Sequence, residues 1–180
     1  MTISRKILAK AAISMATVLL VSVSLMNNAA AAESASLEVR NTAVVEKFLN
    51  EVVSGGKQEL IDELWAPNLV WRAASMGEVY GIEPYKEAMK AAKTSFSGMK
   101  LEILDVVAQG DKVVVRFTNS GTNIGGFFGN PATGKFAKWE GIGIYRLENG
   151  KIVEASFVED IWGMQTGLGN IKAHQEGNRP

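Results

Sequence analysis

The sequence predicts an α+β fold in which about three helices pack on a curved antiparallel sheet, closing a cone with one open end. Two observations carry this prediction. Apolar residues recur at helical spacing as far as Phe96, and at a spacing of two from Lys100 onward. Helices first and consecutive strands afterwards argue against a β-α-β alternation with a parallel sheet. A cone of this kind suits a small apolar ligand.

The chain opens on a segment set apart from that fold. Arg5, Lys6 and Lys10 give a basic start, "AAISMATVLLVSVSLM" carries no charge, and "NNAAAAES" offers small residues to a signal peptidase. The expectation is a signal peptide at residues 1–32, cleaved after Ala32, with export to a periplasm or secretion. There is no cysteine, which excludes a lipid-anchored lipoprotein, a disulfide framework, a thiolate nucleophile and cysteine metal ligands. Without residues 1–32 the chain keeps 16 Lys+Arg against 19 Asp+Glu, a net charge of −3. Its basic residues are scattered, which argues against nucleic acid or an anionic membrane as partner. The remainder suffices for one domain at 41–169, after a flexible lead-in at 33–40 and before a tail at 170–180. A chain of this size buries roughly 70% of its unfolded surface.

Within the domain, "NTAVVEKFLNEVVSGG" places Val44, Val45, Phe48, Leu49, Val52 and Val53 on one helical stripe that Gly55 and Gly56 end. "KQELIDELW" repeats the pattern up to Pro67, and "NLVWRA" is a short strand. "GIEPYKEAMKAAKTSF" starts a third helix with Pro84 near its first position; Tyr85, Ala88, Met89, Ala92 and Phe96 form its inner face. "KLEILDVVA", "KVVVRFTNSG", "FAKWEGIGIYRL" and "KIVEASFVE" are four strands, divided by turns at Gly110-Asp111 and Asn149-Gly150 and by a glycine-rich loop. A short turn or helix follows Asp160.

That loop contains "GNPATGKF", whose first seven residues fit the phosphate-binding pattern G-x-x-x-x-G-K. The rest of the motif fails. Phe136 stands where a magnesium-binding hydroxyl belongs, Pro131 lacks an N–H, and a strand follows instead of a helix N-terminus. Nucleotide binding is not expected.

The longer stretch "GTNIGGFFGNPATGKFAKWEGIGIYRLENGKIVEASFVEDIWGMQTGLG" resembles the SnoaL-like polyketide cyclases. These belong to the nuclear transport factor 2-like superfamily, with ketosteroid isomerases and limonene epoxide hydrolases. "IDELWAPNLVW" and the third helix match the same family, and the likeness spans about residues 41–169. The resemblance implies that fold and a cofactor-free intramolecular aldol closure of a polyketide ester by one acid/base carboxylate. The fold alone names no substrate.

The family's carboxylate aligns with Asp160. Beside Phe157, Val158, Ile161 and Trp162, burial would raise its pKa into a useful range. It could equally cap the helix that follows. Positions where the family often has histidine hold Trp71 or Arg72, and Asn123. Arg116 is either a pocket cation or a solvated outer-face residue. Thr118, two positions on, replaces the Asp of the epoxide hydrolases' Arg-x-Asp. Arg116 and Asn123 are the candidate polarising groups for Asp160. Trp71, Tyr80, Phe127, Trp139, Tyr145 and Trp162 are candidates for the ligand wall or for plain core. Glu154 and Glu159 have opposite strand parity, so at most one points inward. His174 is expected to be solvated, and no His/Asp cluster has metal-ligand spacing. The expectation is a small-molecule enzyme of the cyclase or isomerase type without cofactor or metal. The alternative is a binding module with the same pocket. Self-association stays open.

Overall fold

The structure, a computed structural model, describes the backbone of residues 4–172 and the side chains of residues 26–172. The apolar run of the expected signal peptide falls almost wholly on side chains outside that range. His174 and the end of the tail lie outside it too. The chain divides into two units, residues 1–37 and 38–180. Helix α1 (Ser4–Lys47) supplies the described residues of the first, and residues 33–40, expected as a flexible lead-in, are helical within it. Among the described residues, no helix is long and apolar enough to cross a membrane.

In the second unit, α1 continues into a π-helical turn at Phe48–Ser54. The predicted stripe is buried here: Val45, Phe48, Leu49 and Val52 face the core. Gly56, at φ 69°, turns the chain out of the helix where a side chain would be strained. A 3-10 turn (Gln58–Leu60) and α2 (Ile61–Leu64) lead to β1 (Trp65–Ala73), then β2 (Gly77–Tyr80) and α3 (Ile82–Ser95). The long strands are β3 (Phe96–Gln109), β4 (Lys112–Asn123), β5 (Phe136–Glu148) and β6 (Lys151–Glu159), and α4 (Ile161–Leu168) follows.

The six strands lie in the order β2-β1-β6-β5-β4-β3. Two features correct the expected sheet. β2 is an added edge strand, too short and too exposed to show in the apolar pattern. The sheet is mixed, because β1 runs parallel to β6 while every other pairing is antiparallel. The chain between β1 and β6 is long enough for the crossover that parallel pairing requires. Pro67 was expected to close a helix; it sits inside β1 instead, where the register with β6 shifts between Trp65 and Val70. A residue without an N–H is tolerated at such an irregularity. Two further register shifts fall in β3, between Ser97 and Lys100 and between Ile103 and Asp105, the kind of irregularity that bends a strand.

β5 alternates against intuition. Gly141, Gly143, Tyr145 and Leu147 face inward, while Ile142 and Ile144 are exposed on the outer face. The glycines make room for rings on neighbouring strands. A Cβ at Gly141 would lie 2.7 Å from the Phe117 ring, and one at Gly143 would lie 2.7 Å from the Phe157 ring. The main core gathers Trp65, Tyr85, Tyr145, Phe117 and the α1 stripe. Burying each such side chain stabilises the fold by about 1.5–3 kcal/mol. A smaller cluster of Phe96, Ala137, Trp139, Met164 and Leu168 seats α4 against β5.

Candidate functional site

The inner face of the sheet, the π-helical turn and α3 enclose a cavity of about 390 Å³. This volume lies in the usual range for small-molecule sites. Its floor includes Phe48, Leu49, Tyr85 and Tyr145, all essentially inaccessible to solvent. Met76, Ala91 and Ala92 are exposed and mark the mouth. The rings are fixed by each other: Trp71 meets Tyr85 and Phe157 at centroid distances of 6.2 and 6.1 Å, and Tyr145 meets Phe157 at 5.3 Å.

Among the described residues, one carboxylate lines this apolar space. Glu159 ends β6 on the inward parity shared with Phe157. Asn119 on β4 and Trp139 on β5 are cross-strand partners, and both reach it. Asn119 Nδ2 donates to Glu159 Oε1 at 2.7 Å, and Trp139 Nε1 donates to the same oxygen at 3.1 Å. Oε2 has no donor among the described residues. Burial raises the pKa of Glu159; the two hydrogen bonds pull it back without cancelling the rise. The result is a proton acceptor stronger than an ordinary carboxylate, held in one orientation.

The rings of two tyrosines line the same space. The hydroxyls of Tyr85 and Tyr145 are buried and have no hydrogen-bond partner among the described residues, and burial drives both pKa values well up. Ser95 Oγ, by contrast, is taken up by the Gly126 carbonyl at 2.9 Å. Among the described residues, no group of three His, Cys, Asp or Glu could hold a metal ion.

The model of the SnoaL-like polyketide cyclase family matches residues 43–168, which include every element that lines the cavity. The chain belongs to this family. Solved structures share the fold of this SnoaL-like chain. A SnoaL-like polyketide cyclase from Jannaschia sp. CCS1 is 22% identical, with 75% of this chain and 95% of that one covered at a TM-score of 0.70. IdmH, a polyketide cyclase from Streptomyces antibioticus, is 25% identical over 72% of this chain and 98% of its own, with a TM-score of 0.64. An epoxide hydrolase of the LEH-like type from M. tuberculosis shares the fold at 16% identity, covering 74% and 92% at 0.61. A search of curated proteins finds no match. Membership supports a cofactor-free cyclase or isomerase role on a small molecule held in the pocket.

In this SnoaL-like chain the expected site residues separate into two groups. Trp71, Phe127, Trp139 and Tyr145 line the cavity. Tyr80 and Trp162 do not: they are 61% and 63% exposed, and Tyr80 hydrogen-bonds Glu78 on the sheet edge. Asp160 is also outside. Exposed at the N-cap of α4, it accepts from Gly163 N at 2.8 Å, and a Cβ at Gly163 would run into its carboxylate. Arg116 lies on the outer face, paired with Asp105 at 2.7 Å and Glu140 at 3.5 Å. It faces away because the inward parity of β4 belongs to Phe117 and Asn119.

Asn123 is buried but serves the loop. Its Nδ2 donates to the Ser95 and Gly125 carbonyls at 3.1 and 2.8 Å, and its Oδ1 accepts from Thr133 N at 2.8 Å. This latch closes the "GNPATGK" loop between β4 and β5 against the end of α3. The Phe127 ring is thereby set on Phe96, at a centroid distance of 5.1 Å, on the cavity wall. Sequence reading passed over Glu159, Asn119 and the floor phenol Tyr85 as site residues. Parity carried part of the signal. Glu159 turns inward while Glu154 turns outward to Arg72 and Arg146.

Proposed function

We propose that this chain is a cofactor-free enzyme that moves a proton at a carbon next to a carbonyl, as an ester cyclase or isomerase, on an apolar ring-bearing molecule. The observation that carries the reading is Glu159, the one carboxylate among the described residues that lines the apolar cavity, with both donors on Oε1 and Oε2 left to the ligand. Oε2 takes the proton from carbon, and the electrons of that C–H bond pass into an enolate. In a cyclase the enolate carbon then attacks a second carbonyl of the same molecule, and Glu159 returns its proton to the new alkoxide. In an isomerase the proton returns to a different carbon. Either route begins and ends with the same carboxylate, so no co-reactant is consumed. General acid/base catalysis of this kind contributes about 10²–10⁴ in rate.

Asn119 and Trp139 hold the carboxylate, and the aromatic wall excludes water, which keeps the base from being levelled by hydration. Deuterium exchange at the acidic carbon of a bound ketone, parent against Glu159→Gln, tests the reading. Export by removal of residues 1–32 is part of the proposal, supported by the basic start, the apolar run and the alanine site. Intact-mass measurement of the exported fraction should find a chain beginning at Glu33; a full-length membrane-bound product contradicts it.

A further inference from the structure

We infer that the cavity also takes an organic ammonium ion on an apolar ring body, its positive charge held between Glu159 Oε2 and the rings of Phe117 and Phe157. This rests on the cavity being the ligand site, as the proposed function holds, and adds a ligand class to the enolisable carbonyl. The carboxylate has no counter-charge of its own. No Lys, Arg or His among the described residues lines the cavity. Arg116 on the outer face is paired with Asp105 and Glu140, and Lys93 of α3 donates to the Gly56 carbonyl at 2.7 Å. A buried carboxylate without a cation is unfavourable, and burial accordingly raises the Glu159 pKa. A cation arriving with the ligand completes the pair.

The free oxygen is open to a ligand. Asn119 Nδ2 and Trp139 Nε1 both donate to Oε1, so a cation meets no competing donor at Oε2. The hydroxyls of Tyr85 and Tyr145 and the amide oxygen Asn119 Oδ1 are sealed off even from the cavity. Glu159 Oε2 is not among these sealed atoms, and Glu159 lines the cavity.

Aromatic rings border the same carboxylate. A Cβ at Gly141 would lie 2.7 Å from the Phe117 ring and 2.9 Å from Glu159 Cγ, so ring and carboxylate stem flank one point. Phe157 precedes Glu159 by two residues on the inward parity of β6, and its ring centroid lies 6.4 Å from that of Phe117. Both rings line the cavity. A ring face attracts a cation within about 6 Å of its centroid, and an ionised carboxylate beside it strengthens the hold. A metal ion fits less well, since among the described residues no group of three His, Cys, Asp or Glu could ligate it. A large, weakly hydrated ammonium ion needs only the one carboxylate and the rings.

The test uses trimethyl(2-naphthyl)ammonium and 2-tert-butylnaphthalene, which share a shape and differ in charge. Affinity for each is measured on the full-length protein and on Glu159→Gln. The ratio of cation to hydrocarbon affinity should fall at least tenfold in the variant. If the variant does not fold, the parent alone decides: it should bind the cation at least tenfold more tightly than 2-naphthoate, an anion on the same ring. Proton exchange in 2-acetonaphthone is read separately. A parent with the cation preference and no exchange contradicts the proton-transfer reading and leaves the ammonium site standing; exchange without the preference does the reverse. The inference is overturned by a ratio that falls less than tenfold in Glu159→Gln, by a parent whose preference over 2-naphthoate is below tenfold, or by a parent that does not bind the cation.

Discussion

Asn119 and Trp139 stand opposite each other on β4 and β5 and hydrogen-bond one oxygen of Glu159, leaving its second oxygen to the cavity. The arrangement fixes a carboxylate without neutralising it, since no cation among the described residues lines the cavity. Burial is then the larger influence and raises the Glu159 pKa above the ordinary 4.5.

A pH dependence of stability follows. Between its ordinary pKa and the raised folded one, Glu159 holds a proton in the folded chain that the unfolded chain releases. Stability from this group is therefore present at acid pH and is lost as pH rises through that window. Glu159→Gln cannot ionise and escapes the loss. Its melting temperature relative to the parent should climb from pH 4 to pH 8. A difference that stays flat or falls across that range would show that Glu159 is not buried as a carboxyl.

Asp160 should behave as a cap. Replacing it with Ala removes the bond to Gly163 N, lowering stability by about 1 kcal/mol. For a domain of this size that is roughly 2–4 °C in melting temperature. Ligand affinity and proton exchange should be retained. Exchange lost alongside unchanged stability would return the catalytic role to Asp160.

Gly141→Ala probes the room around the base. The added Cβ would meet the Phe117 ring at 2.7 Å and Glu159 Cγ at 2.9 Å, so one or both must shift. Overpacking of this kind costs about 1–3 kcal/mol, and proton exchange should fall because the carboxylate is displaced. Arg116→Ala is the control. Its ion pairs lie on the exposed outer face, where replacement should leave the melting temperature and the exchange rate unchanged.

The fold was legible where periodicity was strong. The stripe of Val45, Phe48, Leu49 and Val52 and the alternation in β4 and β5 appear in the structure as the sequence suggests. The parallel β1–β6 pairing was not, because pairing partners far apart in sequence leave no local signal. The site was legible only in part. Asp160 and Glu159 are adjacent carboxylates beside the same apolar residues, and composition alone cannot choose between them. The choice is made by one-residue parity: Glu159 still belongs to β6 and points in, while Asp160 has left the strand and begins α4. Arg116 was misplaced by the same kind of ambiguity, resolved by Phe117 and Asn119 taking the inner face.

Deuterium exchange at the methyl group of 2-acetonaphthone, next to its carbonyl, tests the central claim most directly. It should be measured at saturating ketone on the parent and on Glu159→Gln, with affinity determined alongside. The account predicts ketone binding by both proteins, measurable exchange by the parent, and a rate about 10²–10⁴ lower in the variant. Exchange at the parent rate in Glu159→Gln, or none in a parent that binds the ketone, would contradict it.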